Sequence, residues 1–235
     1  MPISNPGYHL PRIDYDCPVK RIVLVNPNTN MAITGRMVAI ARKHLEPGFS
    51  LEATTAASGA QLIVNEDQLR VAALAVAAMA PALAATSDGV IVSAFGDPGV
   101  DELRKQLTQP VVGIAESAMR EAGRGERCFS IITTTPELVH AMTWRAQGLG
   151  FGPRLASVQV TAGPLEMLMS DEERLIGALA QAADIAVRQH GAEAVIIGGG
   201  PLAAAADRLR RLLSVPVIEP IPTAVRDLQV VLQAG

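Results

Sequence analysis

The groups able to do chemistry in this 235-residue chain are gathered in four short runs: Asn26-Pro27-Asn28-Thr29-Asn30, Ser93-Ala94-Phe95-Gly96-Asp97, Thr133-Thr134-Thr135 and Gly198-Gly199-Gly200-Pro201. Amides, hydroxyls and glycine N–H groups beside helix starts are natural partners for a small carboxylate or a carbonyl-rich ring. Ser93, Asn28, Thr134 and Glu116 are the candidates for catalytic roles. Asn26, Ala94, Phe95, Gly96, Thr133, Thr135, Gly198, Gly199 and Gly200 are the candidates for substrate binding. Asn28 either donates to a carbonyl oxygen or caps the next helix, and Asp97 is either an N-cap or a base. Glu116 and Glu219 hold nearby places after the last strand of each half, where a carboxylate raised by burial could serve as general base. His140, one turn into the helix after the threonine run, is a weaker candidate of the same kind.

Each run lies at the end of an apolar segment. Gly89-Val90-Ile91-Val92 is the clearest, an unalternating apolar stretch such as a strand buried on both faces shows, and ligands bind outside the carboxyl ends of such strands. Strands predicted at 21–25, 51–56, 90–92, 111–114, 128–132, 155–160, 195–197 and 215–218 alternate with helices at 31–45, 61–85, 99–107, 116–121, 136–147, 171–190, 203–213 and 223–232. Pro81 kinks or shortens the second of these helices. Alternation of this kind predicts an α/β fold with parallel sheets flanked by helices.

Composition excludes several classes of function. The chain is 49% hydrophobic, only 3% aromatic, and carries a net charge of -3 with both signs scattered along it. There is no basic face for nucleic acid or anionic membrane and no aromatic platform for bases. Cys17 and Cys128 stand in no metal-ligand spacing, and Cys128 reads as a small buried hydrophobe. No paired-cysteine, His-Glu-x-x-His or phosphate-loop pattern occurs, so no metal or nucleotide cofactor is expected. Nothing reads as a signal peptide or a membrane span, which makes a cytoplasmic location and a small-molecule substrate the expectation.

An internal repeat organises the rest. Gly89-Val-Ile-Val-Ser-Ala-Phe lies alongside Ala194-Val-Ile-Ile-Gly-Gly-Gly, and Arg21-Ile-Val-Leu-Val-Asn-Pro-Asn-Thr alongside Arg127-Cys-Phe-Ser-Ile-Ile-Thr-Thr-Thr. The offsets agree, 105 from Ala94 to Gly199 and 106 from Asn28 to Thr134. Two pseudosymmetric lobes follow, each a short parallel sheet flanked by helices, with the active site between them. An N-terminal arm occupies residues 1–18, the first lobe residues 19–114 with 220–235, and the second lobe residues 115–219.

Asn26-Pro27-Asn28-Thr29, Phe95-Gly96-Asp97-Pro98-Gly99, Gly113-Ile114-Ala115-Glu116 and Thr133-Thr134, in that order, resemble the aspartate/glutamate/hydantoin racemase superfamily, and most of all its hydantoin and allantoin racemase branch. The resemblance runs from about residue 20 to the C-terminus. It implies an interlobe site, no cofactor, a homo-oligomer (a dimer or tetramer), and two cysteines facing each other across the substrate. Here the corresponding positions are Ala94 and Gly199, and neither side chain can take or give a proton. A cradle without thiols favours ring-opening hydrolysis of a thiazoline-carboxylate or hydantoin-like ring, with water as nucleophile. The alternatives are a racemase or isomerase using other groups, a decarboxylase or lyase of the same superfamily, and a non-catalytic ligand-binding relative.

Overall fold

The computed structural model describes residues 19–199 and 205–234. The arm at 1–18 with Cys17, and Gly200, Pro201 and the predicted helix start at residue 203, lie outside them.

Two four-stranded parallel sheets carry the same strand order. The first is β2 (Phe49–Thr55), β1 (Lys20–Asn26), β3 (Gly89–Val92) and β4 (Val111–Gly113); the second is β6 (Leu155–Val160), β5 (Phe129–Thr133), β7 (Ala194–Ile197) and β8 (Val217–Ile218). Alternate residues of β1 face opposite ways. Ile22 and Leu24 pack under helices α1 (Met31–Arg42) and α10 (Pro220–Ala234). Val23 and Val25 pack under α2 (Glu66–Ala77), α3 (Ala80–Thr86) and α4 (Val100–Gln106). The central strands are therefore buried on both faces, as their unalternating apolar sequences require.

The second sheet repeats this layering. Phe129, Ile131 and Ile196 meet α5 (Ile114–Ala122) and α6 (Val139–Gly148). Ile132, Val195 and Ile197 meet α7 (Leu165–Ser170), α8 (Glu172–His190) and α9 (Ala206–Leu212). Phe129 is fully buried and stands edge-on to Phe151 with ring centroids 6.1 Å apart; removing such a ring from water contributes about 2 kcal/mol or more. The helix after each last strand crosses over: α5 follows β4 but packs on the second sheet, and α10 follows β8 but packs on the first.

The interruption expected near Pro81 is present: the stretch predicted at 61–85 starts at Glu66 and is two helices bent by 49°, with Pro81 in the first turn of the second. Three other expectations are corrected. The helix α7 is new. The helix predicted from Pro136 begins as a 3-10 turn over Pro136–Leu138. Cys128 precedes β5 and is half-buried, where the Cys-Phe-Ser-Ile-Ile run suggested a core position. Among the described residues, no single helix is long and apolar enough to cross a membrane.

Candidate active site

The two sheets present their carboxyl ends to one cleft, and the same backbone clasp holds each wall. Ser93 N donates to Val25 O at 2.8 Å, and Gly198 N donates to Ile132 O at 2.7 Å. In the first wall Asn28 N donates to Asn26 Oδ1 (3.1 Å), and in the second Thr135 N donates to Thr133 Oγ1 (3.2 Å). The residue that matches Asn28 is thus Thr135, an offset of 107, where the sequence repeat suggested Thr134. The β5–β6 pairing shifts register between Phe129 and Ser130.

Asn28, Ser93, Ala94, Phe95, Thr134, Thr135, Gly198 and Gly199 line this cleft, which encloses about 680 Å³ of atom-free space counted out to its mouth. The orientation of the Asn28 amide is fixed. Its Oδ1 accepts from Asn26 Nδ2 and Asn30 N, both at 2.9 Å, so its Nδ2 is left as the donor. The Ser93 hydroxyl donates to Met37 Sδ at 3.0 Å, a weak acceptor from which it is easily recruited. The backbone N–H groups of Ala94 and Phe95 make no hydrogen bond among the described residues.

Other predicted site residues stand elsewhere. Asn26 and Thr133 are buried beneath the cleft with their side chains spent: Asn26 Nδ2 reaches Asn28 Oδ1, Asn30 O and Thr34 Oγ1, and Thr133 Oγ1 pairs with Thr135 Oγ1 at 2.8 Å. Gly96 lines a neighbouring groove with Arg145 and His140. Gly200 is outside the described residues.

Glu116 is not in the cleft either. Its carboxylate is held by Arg120 (2.7 Å) and Arg104 (3.0 Å), with Arg145 at 3.6 Å. A buried carboxylate with three guanidinium neighbours is a structural anion and not a free base. Asp97 is an N-cap, but of a distant helix: its two oxygens accept from Ala115 N and Glu116 N at 2.8 Å, at the start of α5. A side chain on Gly113 would overlap this carboxylate, which is why that position is glycine. Burial pushes the Asp97 carboxyl up to about 6, against the pull of Arg145 and the two N–H donors. Glu219 falls at the place of Gly113 by strand register, not of Glu116, and is paired with Arg210. His140 is exposed and pairs with Glu66 at 2.8 Å.

The sequence reading missed the apolar floor. Ile33 and Met37 from α1, with Leu138 and Met142 from the equivalent turn and helix, line the cleft as two pairs related by the offset of 105. Spacing of i and i+4 just after each loop was the available signal. Leu165 and Met169 of α7 add an apolar roof.

Among the described residues, no Asp, Glu, Lys, Arg, His or Cys lines this cleft. Its polar equipment is neutral and mostly donating, suited to the oxygens of an uncharged amide ring and to negative charge that develops on them. Ala94 and Gly199 line the same cavity from opposite walls. Among the described residues, no three metal-binding side chains cluster.

The Asp/Glu/Hydantoin racemase family profile matches residues 22–228. The hydantoin racemase of Paenarthrobacter aurescens is 28% identical over 208 residues, 88% of either chain. Among solved structures, the allantoin racemase of Pseudomonas fluorescens superposes with a TM-score of 0.87 at 29% identity, covering 92% of each chain. That of Klebsiella pneumoniae gives 0.85 at 30% identity, covering 92% of this chain and 89% of its own.

Proposed function

Because the chain belongs to the Asp/Glu/hydantoin racemase family, we propose that it acts on an uncharged, hydantoin-class five-membered cyclic amide, labilising the hydrogen on the ring carbon beside a carbonyl. This is the chemistry of a racemase or isomerase. The observation that carries the reading is the neutrality of the cleft lining among the described residues. An amino acid would bring an ammonium and a carboxylate into a cavity whose lining offers neither a counter-charge, and unpaired buried charge is costly. A hydantoin-class ring brings carbonyl oxygens and N–H groups, which amides and hydroxyls satisfy.

When the ring carbon loses its proton, the electron pair moves onto the carbonyl oxygen as an enolate. Asn28 Nδ2, the Ser93 hydroxyl and the N–H groups of Ala94 and Phe95 are the donors available to that oxygen. Donors fixed in advance in a partly dry cleft can each contribute ten- to a thousandfold in rate. With Ala94 and Gly199 at the thiol positions implied by the resemblance, the proton passes to water or hydroxide, and water returns one to carbon. The products are the ring of either hand and regenerated solvent.

Ring-opening hydrolysis, expected from the loops without thiols, has no counterpart among these relatives, and the racemase reading fits them better. Incubation of single-enantiomer hydantoins in deuterated water separates the two. Deuterium at the ring carbon above the enzyme-free rate is the expected result. A ring-opened carbamoyl acid without prior exchange would identify a hydrolase, and saturable binding with neither product a ligand-binding protein.

A further inference from the structure

The loop that brings Ala94 and Phe95 to the cleft is held from outside itself. Asp97 N donates to Ala94 O at 3.0 Å and closes a turn in which Gly96 has φ 111° and Asp97 φ 53°. A left-handed residue with a side chain costs energy and persists where its surroundings fix it. The fixing groups belong to the helices of the second sheet. Phe95 packs in that sheet's core cluster. The Asp97 side chain is fully buried and accepts from Ala115 N and Glu116 N of α5, both at 2.8 Å, and from Arg145 Nε of α6 at 3.2 Å.

This anchor has three parts, and the sequence of the other half has none of them. By the offset of 105 the residue matching Asp97 is Leu202. By strand register Gly113, whose missing Cβ leaves room for the carboxylate, matches Glu219. The donor Glu116 matches Pro222, which has no N–H to give. A buried carboxylate is costly, and a device the shared fold required would be found in both halves. Its presence beside one wall alone is explained by what that wall does.

We propose that Asp97 is a positioning residue of the reaction: by tying the turn from Ala94 to α5 and Arg145, it holds the free N–H groups of Ala94 and Phe95 where charge develops on the ring oxygen. The proposal rests on the cyclic-amide reading of the cleft. Asp97 touches no substrate and acts only through the backbone it fixes.

The test compares the parent, Asp97→Asn and Gly113→Ala. Asn keeps the shape and tolerates the left-handed backbone but offers one acceptor atom where the carboxylate offers two. Gly113→Ala leaves Asp97 intact and displaces its carboxylate. Deuterium entry at the ring carbon of a hydantoin, above the enzyme-free rate, gives kcat and KM for each. Both variants are expected to lose about tenfold or more in kcat with KM within about threefold, as when an interaction is made in the transition state only. Asp97→Asn should melt within about 4 °C of the parent at pH 7. The ratio of parent to Asp97→Asn rates should rise across about pH 6, where the Asp97 carboxyl ionises, and be level above it. Arg145 of α6, Glu116 of α5, Asp101 and Arg104 of α4 and His140 in the neighbouring groove are present in both proteins, so their own titration cancels in that ratio.

An unchanged kcat in either variant overturns the proposal. So does a loss that only follows the melting temperature, or a ratio that is flat with pH. In each of those cases the parent still labels the ring and the cyclic-amide reading stands. If the parent labels no hydantoin, that reading falls and the proposal falls with it.

Discussion

Asp97 and Arg145 meet across the two lobes, with Oδ2 of the buried carboxylate 3.2 Å from Nε of the guanidinium. The same guanidinium reaches Asp101 at 3.0 Å, and the same carboxylate caps α5. This joint anchors the loop that carries Ala94 and Phe95 onto the helices of the opposite lobe.

The joint has a pH signature. The Asp97 pKa rises from 3.8 to about 6 on folding because burial outweighs its partners. Between those values the native protein keeps a proton that the unfolded chain has released. Stability from this group is therefore full below about pH 4, falls as pH rises to about 6 and is flat above, a change of about 3 kcal/mol. Asp97→Asn, a neutral mimic, should lack this slope. Urea unfolding of both proteins at intervals from about pH 4 to pH 7 gives the difference, and parallel stability curves would refute the assignment.

Asn28→Asp preserves the oxygen that accepts from Asn26 and Asn30 and replaces the donor facing the cleft with an acceptor. Melting temperature should change little. Deuterium exchange on a hydantoin should drop at least about a hundredfold, the scale of losing an oxyanion donor. Unchanged exchange would remove Asn28 from the chemistry.

Ala94→Cys with Gly199→Cys places a thiol on each wall of one cavity. The double variant should interconvert hydantoin enantiomers at least about tenfold faster than either single variant, since one thiol takes the proton and the other gives it. Chiral chromatography follows the conversion. Purely additive singles would mean that the two positions do not face a common ring.

A methyl group on Gly198 would stand 2.7 Å from Ile131 Cγ2 and 3.1 Å from Ile132 O. Gly198→Ala is expected to destabilise by about 1–3 kcal/mol through overpacking, read as a lower denaturation midpoint. At the equivalent position Ser93 is already accommodated, so Ser93→Ala should be close to neutral in the same assay.

The strand-helix alternation and the four loops were legible because buried parallel strands and the turn residues after them are local signals. The repeat led to the right pairing of Ala94 with Gly199 but the wrong partner for Asn28, because a hydroxyl at Thr133 does the work that an amide does at Asn26 and the register slips by one. Glu116 was misread for a different reason. Its neighbours Arg104, Arg120 and Arg145 come from three helices, and only the folded chain shows that they neutralise it.

The exchange of α5 and α10 between the sheets decides how the molecule comes apart. Each half of the chain ends in the helix that completes the other's core, and Arg120 of α5 is paired with Asp227 of α10 at 2.8 Å. Severing the chain between the repeats would leave two fragments, each missing a wall of its hydrophobic interior. The halves are therefore not autonomous folding units despite their likeness. A single melting transition for both halves is the expected outcome, read by calorimetry, and two separate transitions would refute it.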